Sequence, residues 1–124
     1  MFIHNIAPLY DIYINSYSIF DLLEASQLQK KYLNVLNIKN VNFCQLDNFN
    51  NLKTNSFLIS NYAFSEILPK ELQIKYSEKI INPYTTFGFL AWNAIPVYNF
   101  VENSIIEKEE EYPLTKRGNY YVKY

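Results

Sequence analysis

The groups in this chain that could do chemistry gather where apolar runs end. Ser56–Ser60, SFLIS, reads as a buried strand, yet an amide, a phenol, a hydroxyl and a carboxylate follow it closely, at Asn61, Tyr62, Ser65 and Glu66. An amide can orient a bound hydroxyl, and a carboxylate can take its proton. Asp21 closes an earlier apolar run, Asp47 follows a second and Asn93 follows a later one. In open α/β sheets ligands bind outside the carboxyl ends of the strands, where a carboxylate can accept hydrogen bonds from both hydroxyls of a ribose. Each residue also has a structural reading. Asp21 would serve as the N-cap of a helix starting near Leu23, Asp47 as a turn residue beside Asn48, and Asn61 and Ser65 as caps of a second helix.

Other chemistries are closed to this composition. His4 is the only histidine and Cys44 the only cysteine, so no metal cluster of several histidines or thiolates can be built, and no metal is expected. The two glycines, Gly88 and Gly118, leave no glycine-rich phosphate loop. A net charge of −1 without a basic cluster argues against a nucleic-acid or anionic-membrane partner. The longest apolar region, from Phe87 to Val101, is broken by Asn93, Pro96 and Asn99 and is too polar to span a bilayer. The start, MFIHNIAPLYDIYI, lacks the pattern of a signal peptide, and with a single cysteine it fits a reducing, cytoplasmic setting. The run Glu107 to Tyr112, EKEEEY, reads as a solvated edge or turn.

The elements that must position these groups alternate between the two regular periods. Tyr17–Leu22 reads as a strand. Leu22, Ala25, Leu28, Tyr32, Leu33 and Leu36 then recur at helical spacing, predicting a helix over Leu23–Asn37 with that face buried. Val41–Leu46 and Ser56–Ser60 are further strands. Ser65–Ile81 reads as a second helix, with Pro69 in its first turn and a stripe of Leu68, Leu72, Tyr76 and Ile80. Thr86–Trp92 is a fourth strand, and SIIEKEE and NYYVKY form a hairpin turning near Pro113 and Gly118. Strand–helix alternation with continuous apolar strands predicts an α/β fold, a mainly parallel sheet finished by an antiparallel hairpin. With 124 residues, 49% hydrophobic and 19% charged, one domain over 1–124 is expected.

Two long segments, YSIFDLLEASQLQKKYLNVLNIKNVNF and LISNYAFSEILPKELQIKYSEKIINPYTTFGFLAWN, resemble the sugar O-methyltransferase family, a group of Rossmann-like S-adenosylmethionine-dependent methyltransferases. Members typically read Asp-Leu-Pro-Glu, Leu-Gln-Lys-Lys-Tyr-Leu and Ser-Asn-Tyr-Ala-Phe-Ser-Glu; here Leu23 stands where the proline is usual. The terminal EEEYPLTKRGNYYVKY is similar to the family's final hairpin. The resemblance implies S-adenosyl-L-methionine as cofactor and a sugar or glycan as substrate. It places Asp21, with Leu22 beside it, at the cofactor ribose, Asp47 near the adenine, and Ser60 at the strand end facing the cofactor. Asn61 would orient the acceptor and Glu66 would be the catalytic base.

The family's fold begins with a strand and a glycine-rich loop that these residues do not contain; MFIHNIAPLYDIYINS resembles the end of its first helix, broken by Pro8. That strand would lie between those ending at Asp21 and Ser60. The expectation is therefore a carboxyl-terminal portion of a methyltransferase, whose partner is an N-terminal segment. The alternatives are a non-catalytic interaction module of the same fold and, more distantly, a generic nucleotide-binding domain.

Overall fold

The computed structural model describes residues 14–124. The expectations placed on Met1 to Tyr13, including His4 and the helix broken by Pro8, lie outside the described residues. The chain falls into two compact units, Met1–Leu52 and Lys53–Tyr124, with the described strands in two separate sheets. The class is mixed α/β.

In the first unit, β1 (Tyr17–Phe20) and β2 (Val41–Cys44) pair in parallel, with Tyr17 opposite Val41 and Phe20 opposite Cys44. Parallel strands need a crossover, and α1 (Leu23–Val35) supplies it. Glu24 in its first turn complements the helix dipole. Its end is closed by Asn37 at φ 55°, with Asn37 N–H donating to Asn34 O and Ile38 N–H to Leu33 O, each at 3.0 Å. This is a Schellman closure with asparagine in the place glycine usually takes. Asn40, Asn51 and Asn55 also hold left-handed backbone positions, so asparagine does in this glycine-poor chain what glycine does elsewhere.

The face of α1 named by its periodicity is only partly covered. Leu28, Tyr32 and Leu36 are 70%, 54% and 41% exposed, and the helix buries only Ser26, with Ala25, Gln29 and Leu33 half-buried. A two-stranded sheet is too narrow to cover the whole apolar stripe.

The second unit orders its strands β3 (Ser56–Asn61), β4 (Thr85–Trp92), β6 (Tyr120–Lys123) and β5 (Glu107–Glu110). β3 and β4 are parallel, while β6 runs antiparallel to both β4 and β5, so the expected terminal hairpin forms. Between β3 and β4 lie α2 (Lys70–Tyr76), a π-helical turn (Ser77–Ile81) and α3 (Asn82–Tyr84). The predicted helix from Ser65 thus begins five residues late, at Lys70. Residues 62–67 are spent on tight turns, and Leu68 precedes a proline, which bars it from the helical region. Of the predicted stripe, Ile80 is buried and Leu72 and Tyr76 half-buried, but Leu68 is 82% exposed.

The core of this unit joins Phe64, Ile81, Leu90, Trp92, Phe100, Val101 and Val122. Leu90, Trp92 and Val122 are fully buried, and Trp92 stacks on Phe100 with centroids 5.5 Å apart. Burying Leu90 and Val122 contributes about 1.5–3 kcal/mol each. Gly88 lies under the ring of Tyr124, in the space a Cβ would need, and the two residues exchange backbone hydrogen bonds of 3.2 and 3.3 Å. The opposite face of the sheet carries Phe57, Ile59 and Phe87, which are 60%, 45% and 63% exposed.

Candidate functional site

Within the second unit the carboxyl ends of β3 and β4 bring together most of the groups singled out in the sequence. The device that does so is Tyr62, which sits at φ 61° immediately after β3. A bulky residue in that region is uncommon and costs energy, and four contacts hold it there. Its N–H donates to Ala91 O of β4 at 3.0 Å; its carbonyl accepts from Ser65 Oγ at 2.8 Å and from Glu66 N–H at 3.1 Å. Its hydroxyl donates to Glu111. The chain therefore reverses over the end of the sheet instead of running on.

The reversal positions the carboxylate. Asn93, just past β4, donates from Nδ2 to Glu66 Oε1 at 3.0 Å, and its N–H donates to Ser65 Oγ at 3.3 Å. Asn61 and Glu66 are both exposed on this rim. With Oε1 oriented by Asn93, Oε2 of Glu66 keeps its acceptor capacity for a hydroxyl proton. The Ser60 hydroxyl acts on the backbone instead: it accepts from Phe64 N–H at 2.9 Å and fastens the turn.

In the first unit, Asp21 and the segment containing Asp47 lie at the carboxyl ends of β1 and β2. Asp21 is not the cap of α1; that position belongs to Leu22, which makes no side-chain cap. Asp21 Oδ1 accepts from Leu22 N–H and Oδ2 from Gln29 Nε2, both at 2.8 Å. An ionised carboxylate has about four acceptor sites, so each oxygen retains room for a further donor. Leu22 is 75% exposed beside it. Asp47 stands in a tight turn closed by reciprocal backbone bonds between Gln45 and Asn48, of 3.1 and 3.0 Å, as its turn reading expects.

Two cavities of this unit approach these groups without including either carboxylate: Gln29, which donates to Asp21, lines the first, and Cys44 and Asn48, at the carboxyl end of β2, line the second. One of about 280 Å³ is lined by Ile14, Tyr17, Ile19, Leu33 and Val41, at the amino ends of β1 and β2. A second, of about 480 Å³, is lined largely by asparagines and includes neither Asp21 nor Asp47. Among the described residues no group of His, Cys, Asp and Glu could hold a metal ion.

Four residues that carry this architecture have no local signal in the sequence: Gln29, Glu111, Thr115 and Asn119. The last three surround the Tyr62 hydroxyl in the turn between β5 and β6. Hydrogen bonds from the Thr115 hydroxyl, the Tyr62 hydroxyl and the Thr115 N–H hold Glu111 down to about 2. Burial pushes the Cys44 thiol up from its ordinary range, which suits a buried small apolar residue rather than a nucleophile. No helix among the described residues is long and apolar enough to cross a membrane. No protein-family model matches the chain, and neither does any curated protein or solved structure.

Proposed function

We propose that these residues form the carboxyl-terminal portion of an S-adenosylmethionine-dependent O-methyltransferase with a Rossmann-like fold, acting on a sugar hydroxyl. The observation that carries the reading is the Glu66–Asn93 hydrogen bond beside exposed Asn61, at the ends of two adjacent parallel strands. Asn61 and Glu66 belong to the SNYAFSE segment on which the sequence resemblance is strongest, and Asn93 reaches Glu66 from the end of β4. The parallel β1–β2 and β3–β4 pairs and the terminal β5–β6 hairpin fit the same reading.

S-adenosylmethionine would supply an electrophilic methyl group on a sulfonium. Asn61 orients the acceptor oxygen, and Glu66 Oε2 takes the hydroxyl proton as the new C–O bond forms. The departing sulfur keeps the electron pair of the broken C–S bond. Alignment is the main contribution, since methyl transfer from a sulfonium needs little covalent help. Asp21 fits the ribose because both its oxygens are oriented and neither is saturated. Leu22 offers apolar surface beside it, and Asp47 is assigned to the adenine side and the backbone at Ser60 to the cofactor's face. The grip on the methionine end would come from a glycine-rich segment outside these residues.

Saturation-transfer NMR with S-adenosylhomocysteine tests the cofactor assignment on this chain. Ribose and adenine protons should receive magnetisation, and Asp21→Ala should weaken binding more than tenfold, about 1.5–3 kcal/mol for charge-assisted bonds. In a protein that also carries the cofactor loop, Glu66→Gln should slow methyl transfer to a sugar acceptor far more than it weakens cofactor binding. Cofactor binding without any transfer would favour the alternative, a non-catalytic module on the same scaffold. No transfer of magnetisation to the ribose would remove Asp21 from the site.

A further inference from the structure

The turn between β5 and β6 belongs to the same rim as Glu66 and Asn93. β6 runs antiparallel to both β4 and β5, so β5 points the same way as β3 and β4, and its carboxyl end falls on their rim. Contacts at both ends of the turn tie it there. Glu111 accepts from the Tyr62 hydroxyl, and Asn119 Nδ2 donates to that same hydroxyl at 3.4 Å. Gly118, at φ 88°, packs on Ala94: a Cβ on it would stand 3.2 Å from the Ala94 Cβ. A glycine serves both the left-handed backbone and the close approach. The turn therefore touches the residue next to Asn93, which donates to the Glu66 carboxylate at 3.0 Å.

Residues 112–119 read Tyr-Pro-Leu-Thr-Lys-Arg-Gly-Asn, with two cations and no acid. Lys116 and Arg117 are exposed, and among the described residues neither forms an ion pair. The neighbouring acids are engaged otherwise. Glu111 is buried and its oxygens are taken by neutral donors from Tyr62, Thr115 and Asn119. Glu109 pairs with Lys123 at 2.7 Å, and Glu110 stands within β5 opposite Tyr120. Arg117 is the only arginine of a chain whose other cations are all lysine. The distinction has chemical content, because a guanidinium presents a planar fork to the two oxygens of a carboxylate or phosphate. The same turn exposes Tyr112, whose carbonyl is held by the Tyr121 hydroxyl at 3.1 Å. A phenol has an apolar ring face that suits the C–H side of a sugar.

We infer that the β5–β6 turn recognises the acceptor at this rim, and that the acceptor is an anionic sugar, one carrying a carboxylate or a phosphate. Arg117 takes the anionic group as a fork, Lys116 adds a point charge, and Tyr112 offers its ring to the C–H face of the sugar. The two cations also offset the repulsion between an anionic sugar and the Glu66 carboxylate. A neutral sugar leaves both cations to water, so the turn selects among sugars by charge. The inference rests on the proposed acceptor site at Glu66, since that carboxylate is where the sugar's hydroxyl must arrive. Capture of the anion by the turn does not itself require the methyl donor.

NMR titration of the intact chain with glucuronic acid, glucose phosphate and glucose tests this. The anionic sugars should shift the backbone signals of residues 112–119 and the side-chain amide of Asn93, with glucose binding roughly tenfold more weakly. Added salt should weaken the anionic sugars and leave glucose unchanged. Arg117→Gln and Lys116→Gln should each weaken the anionic sugars while Trp92 fluorescence stays native, and Arg117→Lys should restore only part of the loss. The tighter of the two anionic sugars identifies the group as carboxylate or phosphate. Equal affinity for glucose and both anionic sugars overturns the inference. So does anionic binding indifferent to both glutamine variants. Failure of the methyltransferase reading looks different: the turn would still select anionic sugars, while S-adenosylhomocysteine showed no transfer to its ribose and adenine.

Discussion

Tyr62 is the residue on which the second unit's rim turns, and Glu111 is what holds its far end. The two are separated by 49 residues in sequence, yet the phenol donates to Oε1 of the carboxylate while Thr115 and Asn119 satisfy Oε2. Buried at 5% exposure, Glu111 is stabilised as an anion by those donors. Its folded-state value, about 2, lies below the ordinary 4.5. The carboxylate thus contributes stability that is fully present above about 4.5 and is lost as pH falls from there towards 2. Denaturant titrations followed by Trp92 fluorescence should show Glu111→Gln destabilising the protein at pH 6 and much less at pH 3. An equal loss at both values would mean the cluster works through shape rather than charge. Nothing near either residue in sequence signals their meeting, and Glu111 reads locally as one of a row of solvated glutamates.

At the scale of elements, asparagine takes over the conformational work that glycine does in most proteins. α1 ends because Asn37 can enter the left-handed region and close the Schellman hydrogen bonds. A β-carbon without a polar side chain is disfavoured there by roughly 1–2 kcal/mol. Asn37→Ala should therefore lower stability by about 1 kcal/mol, whereas Asn37→Gly should leave it unchanged or raise it slightly. Thermal unfolding of the pair, followed by helical circular dichroism, checks the order. The helix itself was readable from its spacing, to within two residues at its end. How much of its apolar face is covered was not, because Leu28 and Tyr32 have the periodicity of a core stripe but, among the described residues, a sheet of two strands beside them.

For the second unit as a whole, packing depends on one close approach. β4 meets β6 and the final tyrosine because Gly88 has no side chain, which lets the Tyr124 ring lie over it and its hydroxyl reach Thr85 Oγ1 at 2.6 Å. Gly88→Ala would force that ring out, at about 1–3 kcal/mol by overpacking. The melting temperature should fall by roughly 4–8 °C per kcal/mol for a unit of this size. In a Tyr124→Ala background the same substitution should cost little, since the clash has gone. Additive losses in the double variant would place the strain elsewhere. Burial also raises the Tyr124 phenol above its ordinary range, as expected for a ring that belongs to the core.

Local pattern was sufficient for the α/β class, the order of strands and helices, the terminal hairpin and the turn at Asp47, because each depends on which neighbouring residues can share a face or reverse the chain. It also pointed to strand ends as the place for polar groups, and the structure joins Glu66 to Asn93 there. Tertiary structure alone decided the rest. Whether Asp21 caps a helix depended on Leu22 taking the cap position and on Gln29 reaching back to the carboxylate. The late start of the second helix depended on the turn that Ser60, Tyr62 and Ser65 stitch together. The separation into two sheets, with β3 left as an uncharged edge, depended on which strands found partners. Hydrophobic spacing records which surfaces can be buried; the partner that buries them lies far away in sequence, and only the folded chain selects it.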